Sequence, residues 1–288
     1  MQKTVTSIGE ILWDVFPEGK KAGGSSMNVA LNLHKQGIKS KFISAVGEDE
    51  NGNELIDFLS KQSFPVDLIQ TANLPTSTVQ VILDESQQAT YTIVEPVAWD
   101  AILPDADAIA AVQNSDAFVY CSLTCRNETS KKTILTLLKE ARLKVFDINL
   151  RPPFYNPDTL KALLSEADIL KVNEHEIVYL RDQFSLTGNN DEQILKQLSI
   201  TFSIKLICLT LGEQGAAVLH EGQLHTHAGY PVKVSDTVGA GDSFLATFIS
   251  SYLKGYPMDI ILDRACKVGA FVASQPGANP PYGEEIFK

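Results

Sequence analysis

The stretch "SSMNVALNLHKQGIKSKFISAVG", Ser25 to Gly47, sets the architecture. Ala30 and Leu33 share a helical face, Ser25 or Ser26 offers an N-cap, and Gly37 offers a stop, after which "KFISAVG" is β-rich. With the β-rich "TVTSIGEI" (Thr4 to Ile11) ahead of it, the order is strand, helix, strand. The alternation returns downstream in "AFVYCSL", a helix expected around Ile134 to Ala141, "KVFDINL", a helix around Leu160 to Leu164, "ADILKVN" and "KLICLTL". An α/β fold with a mostly parallel sheet covered by helices on both faces is expected.

One region departs from this rhythm. Thr76 to Glu95, "TSTVQVILDESQQATYTIVE", holds two β-rich runs around the polar turn "DESQQ" with no helix attached. Such a hairpin either forms a flap over a site or extends the main sheet. No repeat, low-complexity segment or disordered linker interrupts the 288 residues, so they are expected to form one large unit.

Composition narrows the function. A formal net charge of −11 and a pI near 4.9 argue against nucleic acid and anionic membrane as partners, since both need clustered Lys and Arg. The expected partner is a small molecule. The start lacks a long apolar run with a cleavage site, and no stretch is continuously apolar over roughly 18 residues. A soluble, cytoplasmic protein is expected. Cys121, Cys125, Cys208 and Cys266 are too few and scattered for a disulfide framework. Neither they nor His225 and His227 form the two ligand pairs of a structural zinc site.

Chemistry concentrates in "DTVGAGDSFLATFISSYL", Asp236 to Leu253. Phe244, Leu245, Phe248, Ile249, Tyr252 and Leu253 fall on one helical face, so the glycines mark the helix entrance. That entrance bares N–H groups and suits an anion, phosphate above all. A carboxylate there, Asp242, either caps the helix or repels its ligand, at a cost on the order of a kcal/mol within about 4 Å. It becomes useful beside a phosphoryl group if it takes a proton from an incoming hydroxyl. Other glycine-rich candidates fall away. "PEGKK" lacks the hydroxyl residue of a P-loop, and "GEDENGNE" lacks the EF-hand spacing and reads as a turn leading into the helix of Leu55, Ile56 and Leu59.

"DTVGAGDSF" resembles the C-terminal signature of the ribokinase-like (PfkB) carbohydrate kinases. "GGSSMNVALNLHKQG" and "AVGEDENGNELIDFL" resemble their N-terminal signature. The resemblance implies a ribokinase-like three-layer fold with a small β lid, arising here from about residues 10–22 and 76–98. It makes Asp242 the catalytic base and gives the amides of Gly239, Ala240 and Gly241 to the anion hole. Asp14, Gly23, Gly24 and Asn28 would meet the sugar, with Arg151, of the Asp147, Asn149, Arg151 element, near sugar or phosphoryl. Asn173 and Glu176 in "KVNEHE" would act through water on Mg²⁺ and phosphate. Thr210 and Gly212 in "LTLGEQGA", with Ala270 and Ala273, would line the ATP site. Asp236 and the carbonyl of Val238 would ligate a monovalent cation such as K⁺.

"GEILWDVFPEG", "FDINLRPPFY" and "VAWDA" are most similar to fructokinases and ketodeoxygluconate kinases. Sugar-acid kinases tend to carry a Tyr-Arg pair after the hairpin, where this chain has Val94 and Glu95. Without that bidentate clamp a neutral sugar is favoured. The expectation is an ATP-dependent fructokinase, ahead of ketodeoxygluconate kinase and ribokinase, and ahead of a non-catalytic nucleotide or sugar sensor. A homodimer is one option for its assembly.

Overall fold

The computed structural model describes residues 2–17, 19–83 and 89–287. Its strands are β1 (Thr4–Ile8), β2 (Leu12–Phe16), β3 (Gly19–Gly23), β4 (Lys39–Gly47), β5 (Ile69–Ala72), β6 (Ser77–Leu83), β7 (Ala89–Ile93), β8 (Ala117–Cys121), β9 (Lys144–Asp147), β10 (Ile169–Asn173), β11 (Leu206–Thr210), β12 (Ala216–His220) and β13 (Gln223–His227). The helices are α1 (Ser25–Lys35), α2 (Glu50–Lys61), α3 (Ala106–Gln113), α4 (Glu128–Leu137), α5 (Pro157–Glu166), α6 (Glu174–Gln183), α7 (Asp191–Phe202), α8 (Ala240–Leu253) and α9 (Met258–Ala273).

Nine strands form the central sheet in the order β13-β12-β11-β10-β9-β8-β1-β4-β5. From β5 to β11 every neighbouring pair is parallel, and β12 and β13 close the far edge antiparallel. The strand residues alternate between two cores. Ile8, Phe118, Tyr120, Phe146 and Leu170 pack under α3 to α7, while Val5, Val119, Val145, Ile169 and Cys208 pack under α1, α8 and α9. Burial on both faces explains why these strands read as nearly continuous apolar runs. Across the first core the rings of Phe118, Tyr120 and Phe146 stack in series, with Tyr120 and Phe146 centroids 4.9 Å apart.

The hairpin does not extend this sheet. β6 and β7 pair antiparallel and join β2 and β3 in a separate four-stranded sheet, ordered β3-β2-β6-β7, where β2 and β6 run parallel. The "DESQQ" turn, 84–88, lies outside the described residues. Asp49 ties the second sheet's base to the first. Its carboxylate caps α2 at Gly52 N and accepts from the amide and hydroxyl of Thr76, just before β6.

Two local expectations change. Neither Ser25 nor Ser26 caps α1. Gly24 is the N-cap residue, with φ 113°, and a Cβ there would strike the Glu10 carbonyl. The serine hydroxyls are drawn instead to carboxylates, Ser25 to Asp242 and Ser26 to Glu10. The helix expected near Ile134 to Ala141 begins at Glu128, because the Asn127 side chain accepts from Thr129 N and starts it early. All four cysteines are buried and free. Among the described residues no helix is long and apolar enough to cross a membrane.

Candidate active site

Two helix entrances meet over the carboxyl ends of the parallel strands, where α/β sheets hold their ligands. α8 starts at Ala240 behind Gly239, whose φ of 79° and 2.6 Å gap between a built Cβ and the Ala278 side chain leave room for glycine alone. Ala240 N–H donates to the Thr237 carbonyl at 3.3 Å. Among the described residues the N–H groups of Gly239 and Gly241 find no partner, so two of the three expected donors are unpaired.

Asp242 follows in the first turn, and it does not cap α8. Its carboxylate crosses to α1, where Ser25 Oγ donates to Oδ1 at 2.7 Å and Asn28 Nδ2 donates to Oδ2 at 2.8 Å. Burial pushes the Asp242 carboxyl up to about 6, and the negative charge of Asp147 adds to this. The bonds from Ser25 and Asn28 and the Lys171 charge oppose the rise.

Lys171 is the residue that the motifs did not mark. It sits on β10 in register with Asp147 on β9, and its Nζ donates to Asp147 Oδ1 at 3.0 Å, with side chains only 8% and 4% exposed. A Cβ built on Gly241 would lie 3.4 Å from Nζ, so the ammonium lies beneath the α8 entrance. Burial disfavours its charge, but the surrounding carboxylates of Asp147, Glu176 and Asp242 outweigh burial and raise its proton affinity. The signal in the sequence was a lysine inside the apolar strand "ADILKVN".

Of the remaining expected residues, Glu176 adjoins this centre, its charge acting on Lys171. Asn173 and Glu176 form a reciprocal cap at the start of α6: Asn173 Oδ1 accepts from Glu176 N, and Glu176 Oε2 accepts from Asn173 N. Glu176 Oε1 also accepts from Leu150 N, which anchors the loop carrying Arg151, and burial raises its carboxyl. Arg151 itself is exposed, with Nη1 donating to the Leu150 carbonyl. Thr210 ends β11 in register with Asn173, and Gly212 follows at φ 55°, near Glu174. Asp236 accepts from Val238 N and Gly277 N, and its own N–H, like that of Ser235, donates to the Ala273 carbonyl. Ala270 lies one turn earlier on α9, half-buried.

Asp14 stands on β2 in the second sheet, with Gly23 on β3 close against its carboxylate. Burial raises its carboxyl to about 6, the charge of Asp236 adds to the rise, and Lys21 opposes it. The second sheet's acid thus faces the α8 loop. Asn28 departs from expectation in what it touches, because both ends of its amide are engaged by protein, Nδ2 with Asp242 and Oδ1 with Asn279. Nothing in the sequence marked Asn279.

A half-buried carboxylate that titrates near neutrality beside unpaired amides at a helix entrance can take a proton next to a bound anion. The chain matches the model of the pfkB family carbohydrate kinases over residues 9–284, and it belongs to that family. It is 28% identical to a protein of Arabidopsis thaliana named probable fructokinase-5, over 96% of this chain and 93% of that one. An ATP complex of a Pyrococcus horikoshii sugar kinase is 26% identical with a TM-score of 0.81, covering 95% of this chain and 93% of that one. A 2-dehydro-3-deoxygluconokinase from Thermotoga maritima, 18% identical, superposes with a TM-score of 0.87 over 100% of this chain and 97% of that one, a likeness of fold alone. The fold is ribokinase-like.

Proposed function

We infer that the protein transfers the γ-phosphoryl group of ATP to a hydroxyl of a neutral sugar, with fructose as substrate and fructose 6-phosphate as product. The observation that carries this reading is the socket of Asp242, a carboxylate with a pKa of about 6 held by Ser25 and Asn28 at the entrance of α8. A base of that strength is ionised at neutral pH and can accept the sugar's proton as the hydroxyl attacks phosphorus. The amides of Gly239 and Gly241, with Ala240 between them, steady the charge that spreads over the phosphoryl oxygens. Asp14 accepts hydrogen bonds from sugar hydroxyls, and Gly23 and Gly24 let the backbone come close.

Thr210, Gly212, Ala270 and Ala273 line the nucleotide side. Magnesium fits as an ion carried on ATP, since Mg²⁺ keeps most of its waters and needs only one or two protein carboxylates. Both Glu176 oxygens already accept a backbone N–H, which leaves Glu176 with Asn173 to hold the ion through water, where it would neutralise phosphate charge. Asp236 and the Val238 carbonyl are the proposed ligands of a monovalent cation.

The choice of a neutral sugar rests on the place after β7. The arginine nearest Val94 is Arg126, whose Nη2 donates to the Val94 carbonyl at 2.8 Å. Its charge is already matched by Asp100 through two bonds of 2.7 and 2.8 Å, and its plane lies 3.9 Å from the Trp99 ring centroid. Nε and Nη2 are therefore committed, and Nη1, which has no partner among the described residues, is buried, so Arg126 does not present the open two-pronged edge that clamps a sugar carboxylate. A coupled ADP-release assay across fructose, ribose, ketodeoxygluconate, glucose and adenosine should give the highest kcat/KM for fructose. Preference for ketodeoxygluconate would overturn the assignment.

The second sheet is proposed as a lid. It carries Asp14, so its closure would bring that carboxylate onto the sugar and exclude water that would otherwise hydrolyse ATP. Saturating fructose should slow hydrogen exchange of the backbone amides in Ser77–Leu83 and Ala89–Ile93. Unchanged protection would mean that the sheet is only scaffold.

A further inference from the structure

We propose that Asn279 is a positioning residue for Asp242, acting by dictating which end of the Asn28 amide faces the carboxylate; this rests on Asp242 being the base. The path starts at the charge. A carboxylate accepts and cannot donate, so Asn28 must turn Nδ2 toward Asp242 Oδ2, at 2.8 Å. Its Oδ1 then points the other way and needs a donor. Asn279 Nδ2 supplies it at 2.6 Å.

That choice propagates without conflict. With its Nδ2 committed, Asn279 presents Oδ1 to Asn32 Nδ2 at 3.4 Å, and Asn32 Nδ2 also bonds the Asn28 carbonyl at 2.8 Å. Asn32 Oδ1 accepts from the Tyr282 hydroxyl at 2.6 Å, and that oxygen accepts in turn from Gln36 Nε2 at 3.2 Å. Asn28 and Asn32 are 2% and 0% exposed, so water cannot readily replace a missing partner. Each amide in the series has one orientation compatible with its neighbours, and the series ends on the negative charge of Asp242. Lys35 fastens the same segment from outside, donating to the Pro280 carbonyl at 3.1 Å with its ammonium over the Tyr282 ring.

The charged groups facing Asp242 among the described residues are Asp147 from β9 and Lys171 from β10. From α1 it meets the uncharged Ser25 and Asn28, and from the C-terminal segment Asn279 reaches it through Asn28. In the variant Asn279→Asp the new side chain keeps the shape but cannot donate when ionised. Asn28 then stands between two carboxylates with a single donor end, so the bond to Asp242 competes with one to the introduced carboxylate and one contact becomes acceptor against acceptor.

The test compares Asn279→Asp and Asn279→Leu with the unmodified enzyme and with Asp242→Asn, measuring kcat and the KM for ATP from pH 5.5 to 9. At pH 9 Asp242 is ionised in every variant that retains it, so a mere electrostatic shift of its titration no longer matters. The expected result is a kcat at pH 9 lowered about tenfold in Asn279→Leu and further in Asn279→Asp, with KM for ATP and melting temperature close to those of the unmodified enzyme. Recovery of kcat to within twofold at pH 9 in either variant overturns the proposal, as does a loss of kcat matched by equal losses in ATP binding and melting temperature. If Asp242→Asn keeps full turnover, the base assignment falls and this proposal with it. If Asp242→Asn is inactive while Asn279→Leu is unaffected, this proposal alone falls.

Discussion

Asp242→Asn is expected to lower kcat by roughly 10²- to 10⁴-fold, the usual worth of a positioned proton transfer. The replacement keeps the volume of the side chain and an oxygen to accept from Asn28 Nδ2, as Oδ2 does at 2.8 Å in the unmodified protein, while the Ser25 hydroxyl can accept from the new amide. What it removes is charge and basicity. ATP affinity should stay level or improve, because a negative group has left the entrance of α8. Stability should rise at neutral pH. The Asp242 carboxyl, at about 6 in the folded chain against an ordinary 3.8, holds its proton more tightly folded than unfolded. Folded protein then binds the extra proton between about pH 4 and 6, so stability falls as pH rises through that window, by up to about 1.4 kcal/mol per unit. Above it the cost of the ionised group is fully present, and Asn escapes it. A single-turnover measurement at saturating ATP and fructose checks the first effect, and thermal unfolding at pH 7 the second. A rate within a few-fold of the unmodified enzyme would mean that Asp242 only shapes the turn.

The same carboxylate shows how far residues announce their roles. The main sheet was legible where strands buried on both faces alternate with helices, as around β4, β8, β9 and β10, whereas β5 and β12, which no such alternation sets off, carried no mark. The Gly239 to Asp242 entrance was legible because glycine at φ 79° against Ala278 is a steric demand that leaves a trace in the sequence. Partner choice was not. Ser25 looked like a cap, since serine ahead of an apolar helix usually is one, and only the approach of α8 from more than two hundred residues away offers its hydroxyl a carboxylate instead. The hairpin was visible as two strands, but the parallel pairing of Leu12–Phe16 with Ser77–Leu83 depends on register between distant segments. Asn279 carries no local signature, because its role exists only where the C-terminal segment crosses α1.

Lys171→Met should have the largest effect on the folded protein, and it ties the electrostatics of the site to its chemistry. Methionine fills nearly the same volume, so the change isolates the charge. Without the ammonium, Asp147 loses its ion-pair partner at 3.0 Å while Glu176 and Asp242 each keep their repulsion with Asp147. Breaking a buried pair from one side costs about 3–5 kcal/mol, which for a chain of this size is on the order of ten degrees in melting temperature. The loss should depend on pH with a definite sign. The abandoned carboxyls shift upward in the folded state, so they can relieve the repulsion by holding protons at pH 5 and are forced to ionise as pH rises. The gap in melting temperature to the unmodified protein therefore widens from pH 5 to pH 8. Activity should record the same shift. Lys171 opposes the rise of the Asp242 carboxyl from its ordinary value, so its removal moves the acid limb of kcat/KM from near pH 6 to higher pH, and activity is recovered only in more alkaline buffer. Thermal melts and kcat/KM profiles across pH 5 to 9 test both. A melting temperature within two or three degrees at every pH, with an unmoved acid limb, would show that Lys171 is not the counter-charge of this site.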